Sequence, residues 1–236
     1  MNNTLANGLR LLDLLSATAE SFAVTDLAAR LGVPKSHAHR LLQTLVEQGY
    51  AVQDEDRRYR IGMEPLVVSK ALLANHPLRR AARPILHRLA VATGLDAIVS
   101  IPHRGGSALV LAAVHPDGEQ RDPGSAIGNR LRYPGSASGT LLAALIDGFA
   151  DPSAMPADDR AAIVRDRFVW LDPSQRAETN AMAAAVSDLA GVVVGVLGIS
   201  GPRRRFAEIH AEARIELRAA AELVAVALST VNRPNT

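Results

Sequence analysis

Cysteine is absent from the 236 residues, which removes disulfides, thiolate nucleophiles and Cys-based zinc sites together and is compatible with a reducing cytoplasm, the expected location. An excess of one charge is also missing. Lys and Arg number 26 against 24 Asp and Glu, a net +2 with His neutral, so any polyanion must meet placed rather than spread charge. No apolar run is long enough to span a bilayer as a helix, and the most apolar stretch, Leu189 to Ser200, fits a buried strand. The N-terminus has no basic region ahead of an apolar core, and its leucines recur at helical spacing, so it does not read as a signal peptide. No membrane partner is expected.

What is present is a chain 48% apolar, with length for a small head and one ordinary domain. Residues 6 to 16 read as an amphipathic helix, with Leu9 and Leu12 on its stripe. Thr25 is the expected N-cap of a short second helix, with Asp26 in its first turn and Gly32 ending it. Pro34 is expected at the first position of a third helix that runs to about Gln48, with Gly49 just beyond it. Ala38, Leu41, Leu42 and Leu45 form its inward stripe; Lys35, Ser36, His37, His39, Arg40, Gln43 and Thr44 stay on its polar side.

Residues 50 to 62 read as two short strands around an acidic turn at Asp54-Glu-Asp56, with Arg57, Arg58 and Arg60 following. Two helices follow, near 65 to 73 and 77 to 93, the second with Leu78, Ala82, Ile85, Leu89 and Ala92 on one side. Past Gly94 the pattern changes to strands at 97 to 101 and 108 to 114 about a hairpin loop, then an irregular Gly/Pro stretch to Gly135. Helices at 137 to 146 and 156 to 167, strands at 180 to 186 and 192 to 200, and a last helix from about Phe206 to Val231 complete it. The expected class is α+β: a winged helix-turn-helix followed by an antiparallel-type sheet flanked by helices.

A short helix, a Gly turn and a polar-faced second helix at this spacing suit a major-groove reader, whose side chains reach base edges while flanking donors bind phosphates. The alternative is a helical hairpin with a solvated charged face, and the wing favours the reader. Arg40 has two roles open, a guanine edge or a phosphate. His37 and His39 have a base contact or a solvated position open; two apart on a helix, they point to different sides, which argues against a shared metal.

Leu41-Leu-Gln-Thr-Leu-Val-Glu-Gln-Gly-Tyr50, the acidic turn and Tyr59-Arg-Ile-Gly62 resemble the IclR family of bacterial transcription regulators. Further landmarks are Leu78-Arg-Arg-Ala-Ala-Arg-Pro-Ile-Leu86, Gly128-Asn-Arg130, Ser136-Ala-Ser-Gly139 and Ile199-Ser-Gly-Pro202. The resemblance spans essentially the whole chain. It implies a winged helix-turn-helix at 1–62, a linker helix at 63–76 and a GAF-like effector-binding and oligomerisation domain at 77–236. It also implies a homodimer or dimer of dimers on a palindromic operator in double-stranded DNA, in control of a catabolic operon, most simply as a repressor. DNA contacts are then expected from Lys35, Ser36, His37, His39, Arg40, Gln43 and Thr44, and from Arg57 and Arg58 on the wing. The family's turn usually carries Gly where Arg57 stands; a non-Gly residue is disfavoured at positive φ, so a wider turn is expected.

By the same resemblance, an effector's carboxylate would sit at Ser136, Ala137 and Ser138. Independently of the family, a helix N-terminus favours an anion through its free amides and dipole. Ala181, Gly198 and Ser200 would form the opposite wall, and Leu131 and Tyr133 an apolar lip. Tyr133 has either a ligand-facing or a core role open. Ala181 and Gly198 are small and nonpolar where family members that bind short keto acids are polar. A wider, less polar pocket follows, and with it an aromatic acid such as a hydroxybenzoate, or its amide or hydrazide. No Walker A, GxSxG, HExxH or dinucleotide fingerprint occurs, and Gly195, Gly198 and Gly201 read as close-packing positions. His103, His115 and His210 are scattered on expected loops or exposed faces, and Arg203-Arg-Arg205 reads as a solvated stretch. Neither catalytic residues, a metal nor a cofactor is expected. A DNA-binding protein whose second domain only oligomerises, and an enzyme with a fused head, are the rival readings.

Overall fold

The computed structural model describes residues 3–118, 125–151, 153, 155–171 and 179–231. Residues 119–124 of the Gly/Pro stretch therefore lie outside the described residues. The chain forms two compact units, 1–74 and 75–236, and among the described residues no helix is long and apolar enough to cross a membrane.

In the first unit, α1 (Asn3–Ser16) starts three residues earlier than the periodicity predicts and buries Leu11 and Leu15, leaving Leu5 and Leu9 exposed. Helix α2 (Val24–Leu31) is entered through Ala23 at its N-cap, so Thr25 lies inside the helix and does not cap it. Gly32 ends it at φ 71°, its amide returning to Ala28 and Ala29 carbonyls, as a left-handed cap requires. Helix α3 (Lys35–Glu47) has Pro34 at its N-cap, one position ahead of the expected one. Strands β1 (Ala51–Gln53) and β2 (Tyr59–Ile61) pair antiparallel as the wing. Leu11, Leu15, Phe22, Leu27, Leu41, Leu42, Ala51 and Tyr59 make one core that α1, α2, α3 and the wing share. Gly62 closes it: a Cβ there would stand 2.2 Å from the Gly49 carbonyl oxygen, so the chain leaving the wing crosses the end of α3 only without a side chain. Helix α4 (Glu64–Asn75) follows, with no buried residue.

In the second unit, α5 (Pro77–Thr93) leads into the hairpin β3 (Asp96–His103) and β4 (Ser107–Val114). Its stripe is buried as expected except at Ala92, which is exposed. Then come β5 (Arg130–Arg132), α6 (Ala137–Leu145), α7 (Ala157–Asp166), β6 (Phe168–Leu171), β7 (Thr179–Ser187), β8 (Val193–Pro202) and α8 (Arg203–Val231). Strands β5 and β6 depart from the expected irregular and unassigned segments; both are short edge strands. The helix α8 starts three residues early, and Arg205, expected in a solvated stretch, donates to the Thr93 carbonyl at 2.9 Å.

The six strands form one antiparallel sheet in the order β5-β4-β3-β8-β7-β6. Period-two alternation sends Leu197 and Ile199 of β8 and Met182 and Ala184 of β7 into the core against α5 and α8, while Val196 and Ala183 pack with α6 on the other face. The β8 glycines follow the same rule. A Cβ at Gly195 or Gly201 would meet Leu78 or Leu95 at 2.4 or 2.8 Å, and one at Gly198 would meet Ile98 on the α6 face at 3.1 Å.

Candidate functional site

Each unit carries one candidate site. On α3 the inward residues Ala38, Leu41 and Leu42 are buried, which leaves Lys35, Ser36, Arg40, Gln43 and Thr44 exposed and His37 and His39 half-buried. Pro34 brings no side-chain cap, and the first turn holds no acidic residue. The ladder begins with His37 and Ala38 donating to the Pro34 carbonyl, so the amides of Lys35 and Ser36 precede it at the positive end of the dipole. Arg40 Nη2 lies 3.4 Å from His37 Nδ1, and the Thr44 hydroxyl donates to the Arg40 carbonyl at 3.2 Å. The helix is roughly 20 Å long at about 1.5 Å per residue, presenting cations and donors on one outward face.

The wing turn is tight, contrary to the wider turn expected from a non-Gly residue. Asp54 N–H donates to the Arg58 carbonyl at 2.9 Å, Arg57 N–H to the Asp54 carbonyl at 3.0 Å and Arg58 N–H to Asp54 Oδ1 at 2.8 Å. These bonds hold Arg57 at φ 58°, a left-handed conformation that costs a residue with a Cβ about 1 kcal/mol. Arg58 does not project freely: its guanidinium donates to Ser21. Beneath them, burial pushes the Tyr59 phenol above its ordinary pKa, with the Arg57 charge opposing.

In the second unit, a cleft of about 220 Å³ opens on the α6 face of the sheet. Of the residues assigned to an effector pocket, it gathers Leu131, Ser136, Ala137, Ser138, Ala181, Gly198 and Ser200, together with Ile98, Leu171, Thr179 and Asn180, which sequence reasoning missed. Tyr133 is the exception: it lines a second cavity with Thr140, Ile163 and Trp170, between α6, α7 and β6. Just behind it, a Cβ at Gly139 would stand 2.5 to 2.7 Å from the backbone of Arg132 and Tyr133. That contact presses the chain against α6.

Ser136 caps α6: its Oγ accepts from Gly139 N–H at 3.1 Å and donates to the Arg132 carbonyl at 2.9 Å. Thr140 N–H begins the ladder on the Ser136 carbonyl, and the amides of Ala137 and Ser138 precede it. No charged side chain is among the described lining residues, and this helix end turns free amides and its dipole to the cleft. Across from it, Ser200 pairs in register with Ala181 and with Asp96, and Gly198 with Ala183 and Ile98. The Ser200 hydroxyl and Asn180 Oδ1 are buried without a hydrogen-bond partner among the described residues. Such groups are costly unless something else satisfies them.

Asp96, next to Ser200, also escaped sequence reasoning; an acidic residue at a strand start carries no periodic signal. It is fully buried, with Ser125 Oγ donating to Oδ2 at 3.1 Å and His115 Nδ1 3.1 Å from Oδ1. His115, expected on a loop or an exposed face, is thus held against a buried carboxylate.

Residues 4–55 match the model of the IclR helix-turn-helix domain. The chain is 30% identical to the glycerol operon regulatory protein of Streptomyces coelicolor, across 93% of this chain and 92% of that one. It is 27% identical to the transcriptional repressor AllR of Salmonella typhi, across 86% and 81%. Among solved structures, an IclR homologue of Microbacterium hydrocarbonoxydans complexed with 4-hydroxybenzoate superposes with a TM-score of 0.76 at 22% identity, covering 96% of this chain and 99% of that one.

Proposed function

The chain belongs to the IclR family of transcription regulators, and from that premise we propose that it represses a catabolic operon under the control of a small aromatic acid. Operator contacts come from Lys35, Ser36, His37, His39, Arg40, Gln43 and Thr44 on α3, with the wing alongside. The effector's carboxylate lies on the Ala137 and Ser138 amides, and its ring lies on the wall of Ile98, Leu131, Ala181 and Gly198. Ser200 meets a polar substituent at the far end. Residues 63–76 act as the linker between the two activities.

One observation carries the effector reading: a cleft whose described lining is uncharged and mostly apolar brings together a helix N-terminus and the buried hydroxyl of Ser200, which has no partner among the described residues. A domain that only oligomerised would have no use for either. The 4-hydroxybenzoate complex of the Microbacterium homologue supports the ligand class. A second copy of the chain is the natural cover for Leu5 and Leu9 of α1 and for Leu66, Val67, Val68 and Leu72 of α4, all more than half exposed. A two-fold dimer so formed matches a palindromic operator.

The mechanism is a population shift: the effector favours one arrangement of the two heads over another to the extent that it binds that arrangement better. Calorimetric titration with benzoate, 4-hydroxybenzoate, their amides and hydrazides, and pyruvate and glyoxylate tests the ligand class. Tight binding of the aromatic acids is expected; tight binding of the keto acids alone overturns it. Gel shifts at saturating effector test the coupling, which an unchanged operator affinity would exclude.

A further inference from the structure

We infer that the two adjacent arginines of the wing divide its work: Arg57 is the wing's DNA contact, and Arg58 is a positioning residue that holds the wing in place. The inference rests on the reading of the head as an operator reader and adds which cation touches DNA.

Arg58 is already committed inside the head. Its Nε donates to Ser21 Oγ at 3.1 Å and its Nη2 to the Ser21 carbonyl at 2.7 Å. A planar fork on two acceptors of one residue fixes the side chain in one geometry. The neighbouring residues repeat the tie through the backbone, Phe22 and Tyr59 exchanging two N–H···O bonds of 2.8 Å each. Both of their side chains are buried in the head core, and Arg30 lies 5.0 Å over the Phe22 ring. Arg58 therefore completes a seam between residues 21–22 and 58–59 that joins the wing to the segment ahead of α2. Arg58 thus has two of its five N–H donors engaged within the head, which orients its guanidinium on Ser21.

Arg57 is the opposite case. Both side chains are exposed, but the Arg57 guanidinium has no hydrogen-bond or ion-pair partner among the described residues. It stands at the tip of the hairpin in a backbone conformation where glycine would be free of strain. Glu55 and Asp56, the other exposed residues of the turn, repel a phosphate. A strained residue that keeps a free cation at a tip points to a contact outside the chain, and a narrow minor groove or its flanking phosphates offers one to an arginine.

The test uses the full chain and a duplex it selects from a random-sequence library, with affinity measured across a salt series. Arg57→Gln is expected to weaken binding about tenfold and to reduce the log–log salt slope by about one, the signature of one lost phosphate contact. Arg58→Gln is expected to weaken it by a similar factor, but to cause no further loss when Arg57→Gln is already present. Ser21→Ala, a milder variant that leaves the carbonyl in place, should show a smaller loss that vanishes in the Arg58→Gln background. Arg57→Gly should raise the melting temperature of the head and still bind weakly. Additive losses from Arg57→Gln and Arg58→Gln, each removing about one unit of slope, would make Arg58 a direct contact and overturn the division of labour. An Arg57→Gln variant with wild-type affinity and slope would remove Arg57 from the interface. If the wing contributes nothing, Lys35→Ala still weakens binding; if the head is no reader, neither does.

Discussion

Helices α3 and α6 each begin with two amides that neither the ladder nor a cap takes up, yet their surroundings are opposite in kind. Helix α3 starts at Pro34, without a side-chain cap, and turns a face of cations and donors to solvent. Helix α6 starts at Ser136, which caps it, and buries residues 137–139 and 141–144 beside a cleft with no charged side chain among its described lining residues. A polyanion brings its own charge density and is met by long exposed side chains whose attraction salt screens. A single carboxylate taken from water needs amides already in place and a wall that excludes solvent. The two helix ends carry the same dipole, and in the proposed function what surrounds each decides which anion fits.

The sharpest way to break this contrast is to push on the packing that only α6 has. Gly139→Ala would drive a methyl into the Arg132–Tyr133 backbone, and a loss of about 3 kcal/mol in the second unit is expected. Denaturant unfolding should show that unit's transition moving while the head's stays. Gln43→Ala on the exposed face of α3 should shift neither by more than about 0.5 kcal/mol. An unaffected Gly139→Ala protein would mean that the close approach is not what orients α6.

Next in size is the outward helix itself. Lys35→Ala and Arg40→Ala should each weaken operator binding about tenfold or more. Neither should change the affinity for an aromatic acid measured on the same protein without DNA. A parallel loss of both activities would show that the two anion sites are not separable.

How much of this contrast is legible in the sequence depends on whether a site lies along one element or across several. Helix α3 shows itself because Ala38, Leu41 and Leu42 mark its inward stripe, and every polar residue between them is then outward by geometry. The cleft draws on β3, β5, β6, β7, β8 and α6, and no periodicity links Ile98 to Asn180. Its outline came from the family resemblance and from the general affinity of helix N-termini for anions. Strand β5 has three residues and β6 four, too few for alternation to register as period two. Thr25 resembles a cap in type, but the helix begins at Val24, one residue after the extended Ala23. Tyr133 shows the limit of proximity in sequence, three residues from Ser136 yet in the neighbouring cavity.

The far wall of the cleft offers a smaller effect with two opposite signs. The Ser200 hydroxyl is buried without a partner among the described residues, so Ser200→Ala should leave stability unchanged or raise it by up to about 1 kcal/mol. If that hydroxyl serves the effector, the same change should weaken 4-hydroxybenzoate about fivefold to tenfold and benzoate much less. Equal losses for both acids would move the polar end of the ligand away from Ser200.

The smallest expected effect exchanges the caps. Ser136→Ala removes the acceptor for Gly139 N–H and should cost the second unit about 1 kcal/mol. It also releases that amide beside Ala137 and Ser138, so the affinity for an aromatic carboxylate should fall less than the stability does. Pro34→Ser does the reverse at α3, supplying a side-chain acceptor to amides that now face solvent. Operator affinity should drop a few-fold, because the hydroxyl competes with a phosphate for the same N–H groups. Were the added cap to leave binding untouched, the start of α3 would be a bystander, and the outward site would reduce to its side chains.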